Sequence, residues 1–209
     1  RRKTIVRSKK SLTNMKLKKI KVKNIRSYKN EEIDFPEGAV LLSGDIGSGK
    51  STIAGKLEGI LRESGIAVAL LDGDEIRKTI SSDLGYSLKE RDEHMKRVAN
   101  ICKANSENGI ATIASVASPT EKSRAYAKKI LKKMFLVYVK CPLEICEKRD
   151  VKGHYKKARK KEKGFEHFID VSSNYEEPKN PDITLNTDKE PVCESVRRLI
   201  TSLEQKGII

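Results

Sequence analysis

The sequence predicts an α/β fold, a three-layer sandwich in which a mostly parallel, five-stranded sheet carries helices on both faces. Two observations predict it. Short runs such as IAVALL at 66–71 are apolar throughout, as strands buried on both faces are. Amphipathic segments with the helical period separate these runs. A chain of 209 residues can form one such domain and a smaller appendage.

Strands and helices are predicted to alternate from residue 39 onwards. The predicted strands are AVLLS, IAVALLD, IATIAS, FLVYVKC and DITLN. The predicted helices are a segment closed by Gly65, a short one in DEIRKTI, a long one ending at Gly109, one with Pro119 in its first turn, PLEICEKRD, and a C-terminal one after Pro191. Residues 151–181 are highly charged and show little periodicity.

The N-terminal segment differs in composition from the rest. Residues 1–29 hold 13 Lys or Arg and no acid, whereas the remaining chain holds 31 basic and 29 acidic residues. The net charge of +15 therefore belongs to this extension, and the main body has no large polyanion-binding excess. Residues 1–14 are predicted to be disordered. Alternating apolar and lysine residues at 17–25, followed by SYKNEEIDF, predict an N-terminal β extension. We divide the chain into a basic extension, 1–36, and a main domain, 37–209.

Two further classes of feature are missing from the sequence. The longest uninterrupted apolar run, at 66–71, is too short to span a bilayer. The cysteines show neither C-x-x-C spacing nor a nearby histidine cluster, so we expect reduced thiols in a cytoplasmic protein. They are Cys102, Cys141, Cys146 and Cys193.

A glycine-rich turn between the first apolar strand and the next helix has the pattern G-x-x-x-x-G-K-[ST]. Small residues there let backbone N–H groups and a helix N-terminus face phosphate oxygens. Lys50 is expected to reach the β- and γ-phosphates, and the Ser51 hydroxyl to ligate Mg²⁺. We therefore predict a P-loop NTPase fold that binds a nucleoside triphosphate. The predicted nucleotide-binding residues are Gly44, Asp45, Ile46, Gly47, Ser48, Gly49, Lys50, Ser51 and Thr52.

The next apolar strand ends in two carboxylates, in LDGDEIR. Ligands bind at this edge of open α/β sheets, so Asp74 is a candidate base and Asp72 a candidate partner of Mg²⁺ through water. Capping of the following helix explains an Asp at this position equally well. The chain lacks the L-S-G-G signature of ABC ATPases and the N-K-x-D motif of GTPases, which disfavours both classes.

Five short sequence segments, taken in their order along the chain, support a specific resemblance to one enzyme family. They are GDIGSGKST, LDGDEIR, GYSLKERDEHMKRVA, GIATIASVASP and VYVKCPLEICEKRDVKGHYKKA. Together they resemble adenylylsulfate kinase over about residues 39–205. That family uses ATP and Mg²⁺ to phosphorylate the 3′-hydroxyl of adenosine 5′-phosphosulfate (APS), giving 3′-phosphoadenylyl sulfate (PAPS). The resemblance implies a cytoplasmic enzyme of sulfate assimilation, commonly a homodimer.

The resemblance also implies roles for single residues. Asp74 resembles the general base, and Arg77 and Arg91 resemble a clamp on the phosphosulfate. Lys152 resembles a lysine that neutralises the transferring phosphoryl group, in a lid at about 150–181. Arg149 resembles the residue beside the adenine of ATP.

Three further positions carry implied roles on the substrate side, where Asp72 is also placed. Phe165 resembles an aromatic that stacks on the adenine of APS. Ser118 matches a serine described in some members as a phosphoserine, although we favour direct in-line transfer. His94 stands where many members have Asn, so it is either a hydrogen-bonding substrate ligand or an exposed helical histidine.

The chain departs from the family pattern in three places. They are His94, Asp45-Ile46 in place of the usual Leu-Ser, and the lid, which reads GFEHFIDVSSNYEEPKNPD. Separately, the segment 16–52 resembles the start of SMC-type and DNA-repair ABC ATPases. A second hypothesis is therefore an ATP-binding module with weak or lost kinase activity. In it the basic extension binds an acidic or nucleic-acid partner in a salt-sensitive way.

Overall fold

A computed structural model describes residues 19–25, 28–34, 38–150, 153–162 and 175–209. The chain divides into two compact units, 1–35 and 36–209. In the first unit, strand β1 (Lys19–Ile25) pairs antiparallel with strand β2 (Tyr28–Asp34). The predicted N-terminal β extension is thus a two-stranded hairpin. The predicted disorder of residues 1–14 lies outside the described residues.

The second unit alternates strands and helices. Its elements are β3 (Ala39–Ser43), α1 (Lys50–Glu63), β4 (Val68–Asp72), α2 (Gly73–Lys78), α3 (Leu88–Glu107), β5 (Ala111–Ser115), α4 (Glu121–Ile130), β6 (Met134–Lys140), α5 (Leu143–Arg149), α6 (His154–Arg159), β7 (Ile183–Asn186) and α7 (Val192–Gln205). Strands β3 to β7 form a sheet in the order β4-β5-β3-β6-β7, and every pair is parallel. The predicted five-stranded sheet is confirmed.

Side chains that alternate along the strands build a separate core on each face of the sheet. Val40 and Leu42 of β3 join the core that includes residues of α1 and α7. Ala39 and Leu41 point the other way, into the core with residues of α3 and α4. Each fully buried aliphatic side chain contributes roughly 1.5–3 kcal/mol, so both helical layers are held mainly by apolar burial. The three-layer prediction is confirmed.

Two local predictions differ from the structure. Pro119 precedes α4 instead of lying in its first turn, because Thr120 is the N-cap and its hydroxyl accepts a hydrogen bond from Ser123 N at 3.1 Å. Helix α6 was not predicted within the charged stretch. Only Tyr155 and Ala158 are buried along it, a stripe too narrow to show among its lysines and arginines.

Helix α3 begins with a capping box that fixes the orientation of its first turns. The Ser87 hydroxyl accepts from Glu90 N, and the Glu90 carboxylate accepts from Ser87 N at 3.1 Å. A second bond from Gly85 N to Glu90 Oε1, at 2.9 Å, ties the preceding loop to the same carboxylate. The next helical turn carries Arg91 and His94, both of which are buried.

Three strands end together at one edge of the sheet. Asp72 is in register with Ser115, and Ser115 with Leu42, the residue before the end of β3. The loop at 44–49 continues from β3 at this edge. None of the helices in the described ranges is long and apolar enough to cross a membrane. All four cysteines are free thiols, and only Cys193 is exposed.

Candidate active site

The phosphate loop, residues 44–49, passes close to the backbone of β6 and α5. A Cβ on Gly44 would lie 2.3 Å from the Val139 carbonyl oxygen. A Cβ on Gly47 would lie 2.9 Å from the Cys146 carbonyl oxygen, and Gly47 has a φ of 83°. Glycine is therefore required at both positions, once for space alone and once for space and backbone conformation.

Helix α1 begins directly behind this loop with an open N-terminus. Its N-cap is Gly49, at a φ of 93°, and within the described part of the chain no side chain caps it. The first turn contains no acidic residue. The unsatisfied N–H groups and the positive end of the helix dipole therefore favour an anion in the loop.

Lys50 adds a positive charge inside the loop. It is 9% exposed, and its Nζ donates to the Asp45 carbonyl oxygen at 2.6 Å. Burial lowers the pKa of Lys50 to about 8, against the opposing attraction of Asp45, Asp74 and Asp72. An anion in the loop would replace some of the lost solvation of the ammonium group.

The carboxylate of Asp72 has two separate partners. One oxygen accepts from Asp74 N at 3.0 Å and caps α2, and the other accepts from the Ser51 hydroxyl at 2.8 Å. The Ser115 hydroxyl lies 3.4 Å from that of Ser51. Capping and a place beside Ser51 are therefore compatible roles for Asp72. Hydroxyl and carboxylate oxygens are also the donors that Mg²⁺ prefers.

Two arginines and one aromatic ring form the opposite side of the site. Arg77 donates to Gly85 O at 2.8 Å, and Arg91 donates from Nε to Tyr86 O at 2.8 Å. Their guanidinium carbons lie 4.6 and 5.2 Å from the centre of the Tyr86 ring, within cation–π range. The loop between α2 and α3 thus holds both cations around one ring.

The two guanidinium groups repel each other, and Asp74 partly offsets that repulsion. Burial first, and the charge of Arg77 second, lower the pKa of Arg91 to about 10, and Tyr86 and Asp74 oppose the shift. The pKa of Arg77 is also lowered, first by burial. A bound polyanion between the arginines would relieve this repulsion.

His94 lies close enough to the same two arginines to feel their positive charge. The imidazole is 2% exposed, so the alternative of an exposed helical histidine does not describe it. Within the described residues, its Nδ1 has no hydrogen-bond partner. Burial first, and then the charges of Arg77, Arg91 and Arg97, lower the pKa of His94 to about 4. The imidazole is therefore neutral at physiological pH, with one buried nitrogen open to a ligand.

The remaining candidate residues fall in different places. Arg149 donates to the Thr187 carbonyl oxygen at 2.7 Å, on the far side of the phosphate loop from the arginine pair. Ser118 is fully buried, and its hydroxyl lies 2.6 Å from that of Ser43. Lys152 and Phe165 lie outside the described residues, as does the altered lid segment 171–174.

Sequence reasoning missed two residues of the site. Thr187 donates from its hydroxyl to Ser48 O at 2.8 Å and so ties the end of β7 to the phosphate loop. No local motif marks that residue. Tyr86 is 44% exposed beside the two arginines, and its signal was an aromatic between Gly85 and the Ser87 cap.

Comparisons with known proteins agree on one family. The family model described as adenylylsulphate kinase matches residues 37–186. The chain is 44% identical over 170 residues to an adenylyl-sulfate kinase of Halothermothrix orenii, covering 81% of this chain and 91% of that protein. It is 42% identical over 187 residues to one of Clostridium acetobutylicum, covering 88% and 92%.

Solved structures give the same picture. The APS kinase of Mycobacterium tuberculosis, in complex with AMPPNP and APS, superposes with a TM-score of 0.77 at 36% identity, covering 81% of this chain and 98% of that one. A sugar kinase from Janibacter, at 19% identity and a TM-score of 0.57, shares the fold. The similarity of residues 16–52 to SMC-type ATPases gains no support from these proteins.

The depressed pKa of His94 predicts a pH-dependent stability. The folded-state pKa of about 4 is below the unfolded value of 6.5, so the unfolded chain binds the proton more tightly. The contribution of His94 to the free energy of unfolding is therefore complete above pH 6.5 and is lost as the pH drops towards 4. The loss from this group is at most about 3 kcal/mol. Urea unfolding of wild type and His94→Asn between pH 7 and 4 checks it. The variant should lose less stability on acidification, and equal losses would contradict the prediction.

Proposed function

This chain belongs to the adenylylsulphate kinase family, and on that premise we propose that it transfers the γ-phosphoryl group of ATP to the 3′-hydroxyl of APS. The products are PAPS and ADP. One observation carries the proposal. Asp74 donates from its backbone N to the Asp72 carboxylate, whose other oxygen accepts from Ser51 at the start of α1. Its own carboxylate opposes the lowering of the pKa of Lys50 on that side and of Arg77, Arg91 and His94 on the other, so a single acid lies between both halves of the site.

The phosphate loop is the ATP side of this site. The uncapped N-terminus of α1 and the buried ammonium of Lys50 would hold the triphosphate. Arg149, held by Thr187 beside the loop, would flank the adenine. These contacts position the donor without any covalent step, as phosphoryl transfer requires.

The oxygens of Ser51 and Asp72 fit Mg²⁺. A magnesium ion usually takes only one or two protein oxygens and completes its shell with phosphates and water. The Ser51 hydroxyl would coordinate directly and Asp72 through water. When bound, the ion neutralises charge on the phosphate oxygens.

The arginine pair is the APS side. Arg77 and Arg91 can hold the phosphosulfate through paired donors, and the exposed ring of Tyr86 offers a flat surface between them. The neutral imidazole of His94 would hydrogen-bond the same substrate. Phe165 would stack on the APS adenine.

Asp74 would act as the base on the acceptor hydroxyl. As the 3′-oxygen forms its bond to the γ-phosphorus, the proton passes to the Asp74 carboxylate and the bond to the β,γ-bridging oxygen breaks, releasing ADP. Lys50 and Lys152 would stabilise the charge on the transferring group. Ser118 would contribute on the substrate side of the site and would not form a covalent phosphoserine.

The second hypothesis, a partner-binding module driven by the basic extension, is not favoured, because the family match covers the kinase domain. We keep residues 1–36 as a separate extension of unassigned role. A homodimeric assembly, a cytoplasmic location and a place in sulfate assimilation complete the proposal.

Asp74→Asn should lower kcat by about 10²–10⁴-fold while changing the KM for ATP little, since a neutral amide cannot accept the hydroxyl proton. A coupled ADP-release assay with MgATP, run with and without APS, measures this. Asp188→Asn, an exposed Asp beyond β7, is the matched control and should behave as wild type. Full APS-dependent turnover in Asp74→Asn would remove the base from the proposal.

Asp72→Asn should raise the Mg²⁺ concentration needed for half-maximal activity by roughly 10-fold, because the amide still caps α2 but no longer carries a charge beside Ser51. Titration of Mg²⁺ at saturating ATP and APS tests this. Asp188→Asn, which makes the same change of charge at an exposed position, is the control and should leave the Mg²⁺ requirement unchanged. An unchanged Mg²⁺ requirement would mean that Asp72 only caps the helix.

Deletion of residues 1–36 should leave APS-dependent kcat within about twofold of the full chain, since residues 1–35 form one compact unit and the catalytic residues belong to the other. The same ADP-release assay on the two proteins measures the effect. A loss of most turnover would show that the extension contributes to the active site.

A further inference from the structure

One buried guanidinium joins two loops at the carboxyl edge of the sheet. Arg124 of α4 is 1% exposed. It donates from Nη1 to Ser118 O at 2.5 Å, in the loop after β5, and from Nη2 to Glu176 O at 2.7 Å. Its Nη2 and Nε also donate to Glu121 Oε2, at 2.9 and 3.3 Å. The three acceptors fix the plane of the guanidinium group.

The same two loops are also joined directly. Glu176 N donates to Pro119 O at 2.8 Å, and Glu121 N donates to Glu176 Oε2 at 2.7 Å. These bonds run in opposite directions between the segment at 175–176 and the start of α4. The segment is therefore fixed in register, and Arg124 lies underneath it.

A chain of hydroxyl groups continues the network to the phosphate loop. Tyr175 OH lies 2.5 Å from Ser43 Oγ, which in turn lies 2.6 Å from Ser118 Oγ. Ser43 is the last residue of β3, immediately before Gly44. The Arg124 guanidinium carbon is 5.8 Å from the Tyr175 ring centre, so the cation also supports that ring. The ATP side of the site is thus linked to the loop after β5.

The loop after β5 also supports the helix that carries the base. A Cβ on Gly73, the first residue of α2, would lie 3.3 Å from Val116 Cγ1 and 3.4 Å from Ser115 O. The residue next to Gly73 is Asp74. A shift of the loop at 115–118 would therefore move the start of α2, and Asp74 with it.

Burying the Arg124 guanidinium costs free energy of solvation, and its contacts show what the buried group contributes. Replacement of a buried ionic network by well-packed apolar groups is often neutral or stabilising in proteins. Arg124 is opposed by one carboxylate, Glu121, which is itself 46% exposed. Among the described residues, its other hydrogen-bond acceptors are the Ser118 and Glu176 carbonyl oxygens, so the network defines positions more than it neutralises charge.

We propose that Arg124 is a positioning residue for phosphoryl transfer, one that sets the distance between the phosphate loop and the helix carrying Asp74. It acts through Ser118 on the acceptor side and through Tyr175 and Ser43 on the donor side. The inference rests on the proposed function, because it concerns the alignment of the two substrates of that reaction. It assigns no substrate contact to Arg124.

The test compares Arg124→Lys with Arg198→Lys in the full chain. Arg198 makes the same kinds of bond, to the Glu190 carboxylate at 2.6 Å and the Thr184 carbonyl at 3.3 Å, but on α7. Lysine keeps the charge and loses the planar fork. For each protein we would measure urea unfolding, kcat and KM with MgATP and APS, and the slow ADP release without APS.

Arg124→Lys should lower APS-dependent kcat by roughly 10- to 100-fold, as expected for a misalignment of about 1 Å. ADP release without APS and the KM for ATP should stay within about twofold. Arg198→Lys should keep its kcat despite a loss of stability. If Arg124→Lys loses no more kcat than Arg198→Lys, or if both ADP-release rates fall together with stability, the proposal is overturned.

Tyr175→Phe provides a second and milder variant, which decides the question if Arg124→Lys does not fold. It removes only the hydroxyl that bonds Ser43, so a reduced kcat supports the proposal and a wild-type kcat overturns it. In the double variant the two losses of kcat should be less than additive, since both residues act on one element. Absence of APS-dependent ADP release in the wild type would instead refute the proposed function.

Discussion

The close passage of the phosphate loop over β6 and α5 is the constraint on which the site depends. The Val139 and Cys146 carbonyl oxygens leave no space for a side chain at Gly44 or Gly47. This passage places the loop directly at the N-terminus of α1, with Lys50 buried against the loop's own backbone. An anion-binding site therefore exists before any ligand arrives, because the backbone geometry that creates it is enforced by packing.

The rest of the site is organised by charge around that loop. Lys50 and Arg91 are buried and Arg77 is half-buried, and burial disfavours the charged form of all three. Asp74 is the acid whose field reaches all three. A negatively charged substrate on either side would relieve the strain, so binding energy and electrostatic relief act together. This arrangement suits a reaction between two polyanions.

One departure from the family pattern has a packing explanation. Ile46 packs against a small apolar cluster formed by Cys141, Cys146, Tyr155 and Ala158. Tyr155 also donates to the Ile46 carbonyl oxygen at 2.8 Å. The apolar side chain of Ile46 thus connects the phosphate loop to α6, the helix that follows Gly153. The altered loop is part of a consistent local core.

The alternation of strands and helices, the phosphate loop and the family could all be predicted from the amino-acid sequence, because they depend on local periodicity and short motifs. Gly44, Lys50 and Ser51 lie close along the chain, so their spacing reports their geometry directly. The folded structure was needed to show that Asp72 both caps α2 and accepts from Ser51, that His94 is buried among arginines, and that Thr187 holds the loop. It also revealed Tyr86 between the arginines and Arg124 beneath Tyr175. These contacts join residues from separate elements, and no local pattern encodes which elements the packing of the sheet brings together.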